Sequence, residues 1–296
     1  MSHSKIAKAV KERQAEYLAP KKVDEKYYLT SQNPQDNLIE GVLNWLDWED
    51  IEKDINEGKG NELNGRGRQK FLAVHSSSAL CVNNFAPFRM HFAELSFLGY
   101  SGFIEAKFEK KQPTGLKQAN GQDRTPPHLD FCLETKKTII GIESKFTEYF
   151  GTKRPNHPRK HSDIAKCLKN NLEPYCNRTK LNYLPKGFHE SIIEHYFCDD
   201  KPQHLDVAQL IKHTIGLLNN CGKKEAVLVY LYWEPFNSTI DNLFAEHRHN
   251  IEMFKHRIEH FIEFVPLSYP EFWKMYENDA LLKDHFVKVK ERYGRV

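Results

Sequence analysis

Residues 128–148 read His-Leu-Asp-Phe-Cys-Leu-Glu-Thr-Lys-Lys-Thr-Ile-Ile-Gly-Ile-Glu-Ser-Lys-Phe-Thr-Glu. Two apolar-rich runs, 129–133 and 138–146, flank Thr135-Lys136-Lys137-Thr138, the pattern of two antiparallel strands joined by a short turn. Side chains alternate across a strand, so Glu143 and Lys145 share one face while Ile142 and Ser144 point to the other. With Lys136-Lys137 as a two-residue turn, positions whose numbers sum to 273 face one another, and Asp130 stands opposite Glu143. Cross-strand partners of this kind have Cβ atoms about 5 Å apart. Lys-Lys is not the Asn-Gly type of turn that fixes a register. A slip of one residue would send Asp130 to the other face.

Two carboxylates at that separation repel, and a hard divalent cation with oxygen ligands is the natural means of holding them together. Mg²⁺ takes one or two protein carboxylates together with waters and phosphate oxygens. A lysine beside it can orient or deprotonate the attacking water and offset the charge of a phosphorane-like transition state. These parts suit phosphodiester hydrolysis. Glu-x-Lys alone is weak, and a second instance occurs at Glu105-Ala106-Lys107. No aspartate lies between residues 55 and 122, so that triplet lacks the upstream partner that Asp130 supplies to Glu143. The competing reading is a solvated strand pair with a cross-strand ion pair.

Asp130, Glu143-Ser144-Lys145 and the order of elements around them resemble the PD-(D/E)XK nuclease superfamily, as does the Pro126-Pro127 lead into the first strand. Further phrases resemble a bacterial branch described as restriction endonucleases. They are Glu62-Leu63, the run 75–83, the run 143–148, the run 208–213 and the run 230–235, and together they cover residues 58–275. The resemblance implies a metal-dependent nuclease in which Asp130 and Glu143 bind Mg²⁺ or Mn²⁺ and Lys145 is the catalytic lysine. It also implies that Glu62, on the helix before the sheet, and Gln209, on the helix after the strands, support the site, with Glu148 nearby.

The bulk properties allow this and exclude other classes. At 296 residues the chain can bury a substantial core. No run approaches a membrane span and the N-terminus shows no signal peptide, so the expectation is a cytoplasmic protein without a membrane partner. A net charge of +3 is too small to announce nucleic-acid binding, which must come from local clustering. Six cysteines without a Cys-x-x-Cys pair read as reduced thiols.

Along the chain, residues 2–19 predict a helix ended by Pro20, its lysines forming a solvated face in preference to the alternative of a DNA-binding arm. Asn33-Pro34-Gln35-Asp36 starts a second helix with an apolar stripe of Leu38, Ile39, Val42, Leu43, Trp45 and Leu46. Residues 56–68 are a Gly/Asn/Arg-rich loop without the lysine-serine ending of a phosphate-cradling motif. A first core helix is expected over 71–82. Its Ser76-Ser77-Ser78 run lacks a nucleophile elbow and reads as packing. Residues 103–110 alternate as a strand, with Phe103, Glu105, Lys107 and Glu109 on one face, and Glu109 either solvated or near the metal.

After Glu148, residues 149–203 show little periodicity and carry a basic cluster that includes Lys153, Arg154, Arg159 and Lys160. A long basic segment directly after the catalytic strand reads as a DNA-gripping insertion, the alternative being a disordered loop that serves only solubility. Its His157, His161, Cys167 and Cys176 lack the compact spacing of a zinc knuckle. Residues 204–219 predict an amphipathic helix with Gln209 and His213 on one face, and 226–233 a buried strand. A long helix is expected over 241–264, its histidines solvated or packed, then an edge strand at 261–265 and a final helix over 270–293.

The reading is therefore an α/β protein with a restriction-endonuclease-like core of helix, three strands, helix and strand. Residues 1–57 form an N-terminal helical region and 58–296 the nuclease domain. The expected activity is metal-dependent, sequence-specific cleavage of double-stranded DNA by a homodimer, with any DNA methyltransferase on a separate chain. The alternatives are a repair or mobile-element nuclease acting on structured or single-stranded DNA, and a DNA-binding protein that does not cut.

Overall fold

A computed structural model describes residues 3–58, 62–64, 69–118, 120–151, 175, 178–198, 204–236 and 242–294. Strands β2 (His128–Glu134) and β3 (Thr138–Lys145) pair antiparallel in the expected register, Phe131 opposite Ile142 and Glu134 opposite Ile139. The turn has its own lock. Thr135 Oγ1 accepts the backbone N–H groups of Lys137 and Thr138 at 3.0 and 2.8 Å, which supplies locally what an Asn-Gly pair would have supplied.

Three further strands complete a mixed sheet in the order β1-β2-β3-β4-β5. β1 (Glu105–Lys111) is antiparallel to β2, while β4 (Glu225–Tyr232) and β5 (Glu263–Ser268) continue in parallel from β3. The alternation expected in β1 breaks at Glu109, whose φ of +48° lies in the left-handed region. As a result Lys110 turns to the face of Glu105, bonding both Glu105 and Glu134 at 2.6 Å.

The helices are α1 (His3–Tyr17), α2 (Val42–Trp45), α3 (Trp48–Gly58), α4 (Ser77–His91), α5 (His195–Cys198), α6 (Val207–Asn220), α7 (Asn242–Ile258), α8 (Tyr269–Met275) and α9 (Lys283–Tyr293). On one face of the sheet, Phe131 stacks on Phe85 of α4 and Ser144 bonds Tyr269 of α8 at 2.7 Å. The opposite face carries Glu143 against α6 and Tyr230 against His247 of α7. α1, the sheet and the C-terminal helices share one hydrophobic cluster that includes Ile6, Val10, Phe131, Ile140 and Val289.

Four helices depart from the expected boundaries. The single helix after Asn33 is instead a 3-10 turn at Pro34–Asn37, an extended Leu38, a left-handed Gly41 and then the short α2. Tertiary hydrogen bonds take the backbone out of the helix: Asn83 Oδ1 accepts the Ile39 N–H at 2.8 Å, and Asn37 Nδ2 donates to the carbonyls of Phe71 and Ala73. Leu43, placed on the apolar stripe by periodicity, is exposed as a consequence. α4 starts at 77 and not at 71, because the Ser76 hydroxyl caps the Ala79 N–H, and it runs through Pro87 to His91. The helix expected to 264 stops at Ile258, since residues 263–268 are taken into the sheet beside β4. The final helix is two, because Asp279 Oδ1 accepts the N–H groups of Leu281 and Leu282 and so starts a new turn before α9.

A buried polar knot ties the N- and C-terminal parts together. The Arg292 guanidinium, fully buried, donates to Gln14 Oε1, to the Asn37 carbonyl and to Asn37 Oδ1 at 3.1, 2.6 and 2.5 Å. The rings of Tyr17 and Tyr293 cover it. No helix among the described residues is long and apolar enough to cross a membrane.

Candidate active site

The site lies where β1, β2 and β3 run out on the side of α6. Asp130 sits one residue past the last β2–β3 ladder pair, and its Oδ2 accepts the backbone N–H of Ser144 at 2.6 Å. Glu143 is nearly inaccessible: Oε1 pairs with Lys145 Nζ at 2.5 Å and Oε2 lies 2.8 Å from His213 Nε2. Lys145 also donates to Gln209 Oε1 at 2.9 Å. Gln209 and His213 stand one turn apart on α6, whose start is fixed by Asp206 accepting the Gln209 N–H at 3.0 Å. One face of one helix thus reaches both the carboxylate and the ammonium of the Glu-Ser-Lys triplet.

Other predicted residues fall in the same neighbourhood with different geometry. Glu62 lies in a turn and not on the helix before the sheet. Its carboxylate accepts from Lys70 Nζ at 3.0 Å, and its backbone carbonyl takes the Phe71 N–H. Glu148 opens a short 3-10 turn after β3 and accepts the Phe146 N–H at 2.7 Å. Lys153, Arg154, Arg159 and Lys160 lie outside the described residues, as do His157, His161, Cys167 and Cys176. Cys81, Cys132 and Cys221 are free thiols.

Two residues outside the principal sequence set join the cluster. His213 was legible only as a neighbour of Gln209 on a helix face; its contact with Glu143 depends on how α6 packs on β3. Glu109, with its strained backbone, is buried beneath the C-terminal end of α3. A Cβ on Gly58 would meet Glu109 Cβ at 2.7 Å and Oε2 at 2.8 Å, so glycine is what allows that approach. His128 Nδ1 lies 3.9 Å from Glu109 Oε2.

Electrostatics divide these carboxyls. Burial pushes Glu109 up to about 8, reinforced by Glu62 and Glu143 and only partly opposed by Lys70 and Lys145. Burial and the Glu143 charge likewise raise Asp130 well above the carboxylate range, against the pull of Lys145. Glu143 behaves oppositely: burial works to raise it, but Lys145 and His213 outweigh that and bring it down to about 2. Lys145 is raised well above its ordinary value, since Glu143, Glu148 and Asp130 overcome its desolvation. The cluster therefore holds one ionised carboxylate and one firmly protonated lysine, beside two carboxyls whose ionisation is opposed by their neighbours.

The donor set fits a hard divalent cation. Glu143 Oε2 has no well-aligned hydrogen-bond donor, and a positive charge would relieve the crowding that raises Asp130 and Glu109. No group of three or more His, Cys, Asp or Glu side chains among the described residues forms a ready cage. A family model described as Restriction Endonuclease associating with ARP matches residues 4–294. No curated protein and no solved structure matches the chain.

Proposed function

Since the chain belongs to the family of restriction endonucleases associating with ARP, we propose that its nuclease activity is the Mg²⁺-dependent, sequence-specific hydrolysis of double-stranded DNA. The observation that carries this reading is the meeting of Asp130, Glu143, Lys145 and Gln209 at one corner of the sheet. Asp130 and Glu143 are the proposed cation ligands, and Mn²⁺ would satisfy the same oxygens. When bound, the cation supplies positive charge at the phosphate and makes a water more acidic.

The chain's own groups do the rest. The carboxylates around Lys145 favour its charged form, which would stand as a positive charge and hydrogen-bond donor at the scissile phosphate and orient the water. Gln209 holds the lysine in place, and His213 holds Glu143. Glu62 and Glu148 border the site as supporting carboxylates. The basic segment with Lys153, Arg154, Arg159 and Lys160 is the proposed grip on DNA, through phosphate charge. A homodimer would match two-fold protein symmetry to a palindromic site, and a methyltransferase would be a separate chain. The association with ARP in the family description extends to this chain as a proposal.

The test is incubation of wild-type and Lys145→Ala protein with unmodified phage DNA in Mg²⁺ or EDTA. Discrete fragments that require Mg²⁺ and vanish in the variant are expected. Cutting that survives in Lys145→Ala would remove the lysine from the mechanism, and cutting in EDTA would remove the metal.

A further inference from the structure

A cavity of about 760 Å³ lies between α1, the segment leading into α4 and the turn after β3. Ser4, Ala7 and Lys11 form its α1 wall. Their spacing of three and four puts them on one helical face. Glu62 and Glu148 stand on the opposite side. A second cavity of about 170 Å³ contains Lys145 and shares Glu148 and Gly151 with the first. The α1 wall therefore lines the cavity that adjoins, at Glu148 and Gly151, the one holding Lys145.

Lys11 is the unexplained group in that wall. It is half-buried, yet it has no ion-pair partner among the described residues, whereas Lys8 on the same helix pairs with Glu12 at 3.5 Å. The carboxylates across the cavity are already engaged, Glu62 by Lys70 and Glu148 by the Phe146 N–H, so neither serves as its counter-ion. The helix is held firmly: Ile6 and Val10 are buried and Gln14 is bonded to Arg292. A half-buried lysine on a rigid wall, in the cavity that adjoins the one holding Lys145, has no anionic partner among the described residues.

We propose that Lys11 binds a backbone phosphate of the substrate strand beside the scissile phosphate, which makes α1 one wall of the nucleic-acid path. This rests on the nuclease reading above. The chemistry recognised is the phosphodiester backbone, independent of base sequence.

The experiment measures binding of a fluorescein-labelled DNA duplex to the full-length protein in Ca²⁺ by anisotropy, over a series of salt concentrations. The proteins are wild type, Lys11→Ala, Lys11→Arg and Lys5→Ala. Lys5 is an exposed α1 lysine that does not line the cavity. One phosphate contact contributes about 0.9 to the slope of log affinity against log salt, which corresponds to about eightfold in affinity near 0.1 M salt. Lys11→Ala is expected to lose that slope and affinity, Lys11→Arg to keep them, and Lys5→Ala to match wild type, all with unchanged thermal midpoints. Lys11→Ala indistinguishable from wild type, or an equal loss in Lys5→Ala, would overturn the inference. Wild-type protein that neither binds nor cuts DNA would instead bring down the nuclease reading, whatever the Lys11 variants do.

Discussion

The carboxylate cluster at the ends of the first three strands and the Arg292 knot are both charge removed from water, and they are built on opposite plans. Arg292 has no carboxylate partner among the described residues, but each of its three nitrogens donates to a neutral acceptor and two aromatic rings cover its plane. The cluster has formal charges in excess: burial and neighbouring acids raise Asp130 and Glu109, while a single lysine, Lys145, serves Glu143. A buried charge with all its hydrogen bonds made is a fastening between elements. Carboxyls crowded by neighbouring acids and held there by their scaffold are the pattern that a proposed cation site would relieve.

The largest effects should separate the two regions by what they change. Asp130→Asn and Lys145→Ala are each expected to lower DNA cleavage by about 10²- to 10³-fold, the usual cost of removing one stabilising group. Asp130→Asn should leave the metal-free melting temperature equal or higher, since it keeps the side chain's shape and replaces a carboxyl whose ionisation its neighbours oppose. A clear drop in melting temperature would mean that Asp130 is structural.

Arg292→Met should do the reverse. It leaves Gln14 and Asn37 acceptors unpaired in the interior, at about 3 kcal/mol of stability by denaturant unfolding, with cleavage per folded molecule unchanged. Loss of activity without loss of stability would merge the two regions into one.

A smaller effect is written in pH. Glu109, raised to about 8 from an ordinary 4.5, contributes stability that is complete below about pH 4.5 and is lost as pH rises through about 8. Glu143, lowered to about 2, contributes in the other sense, with stability present above about 4.5 and lost as pH falls towards 2. In EDTA the melting temperature should therefore decline between about pH 5 and pH 8, and Glu109→Gln should flatten that decline. A Glu109→Gln curve parallel to wild type would show that the carboxyl is not held protonated. The smallest effect expected is from Lys70→Ala: its pair with Glu62 is more than half exposed on the lysine side and should contribute under about 1 kcal/mol.

Much of this was readable from residues alone. The two apolar runs around Thr-Lys-Lys-Thr and the sum rule brought Asp130 to Glu143, because a two-residue turn leaves little freedom in how strands align. The helix carrying Gln209 and the buried strand at Glu225–Tyr232 followed from periodicity. What periodicity could not supply were the places where a distant group captures the backbone. Asn83 ended the apolar stripe after Leu38, and the Ser76 and Asp279 side chains set helix starts that hydrophobic spacing does not encode.

The sequence by itself determined the strand pairing, the placing of Asp130 opposite Glu143 and the helix that carries Gln209, since these depend on short-range alternation and turn length. Only the tertiary structure decided that Glu109 joins the cluster, that His213 rests against Glu143 and that Lys11 lines the cavity next to the one holding Lys145. Those contacts join residues far apart in the chain. Their geometry is set by how α1, α3 and α6 pack on the sheet, and packing is a property of the whole core.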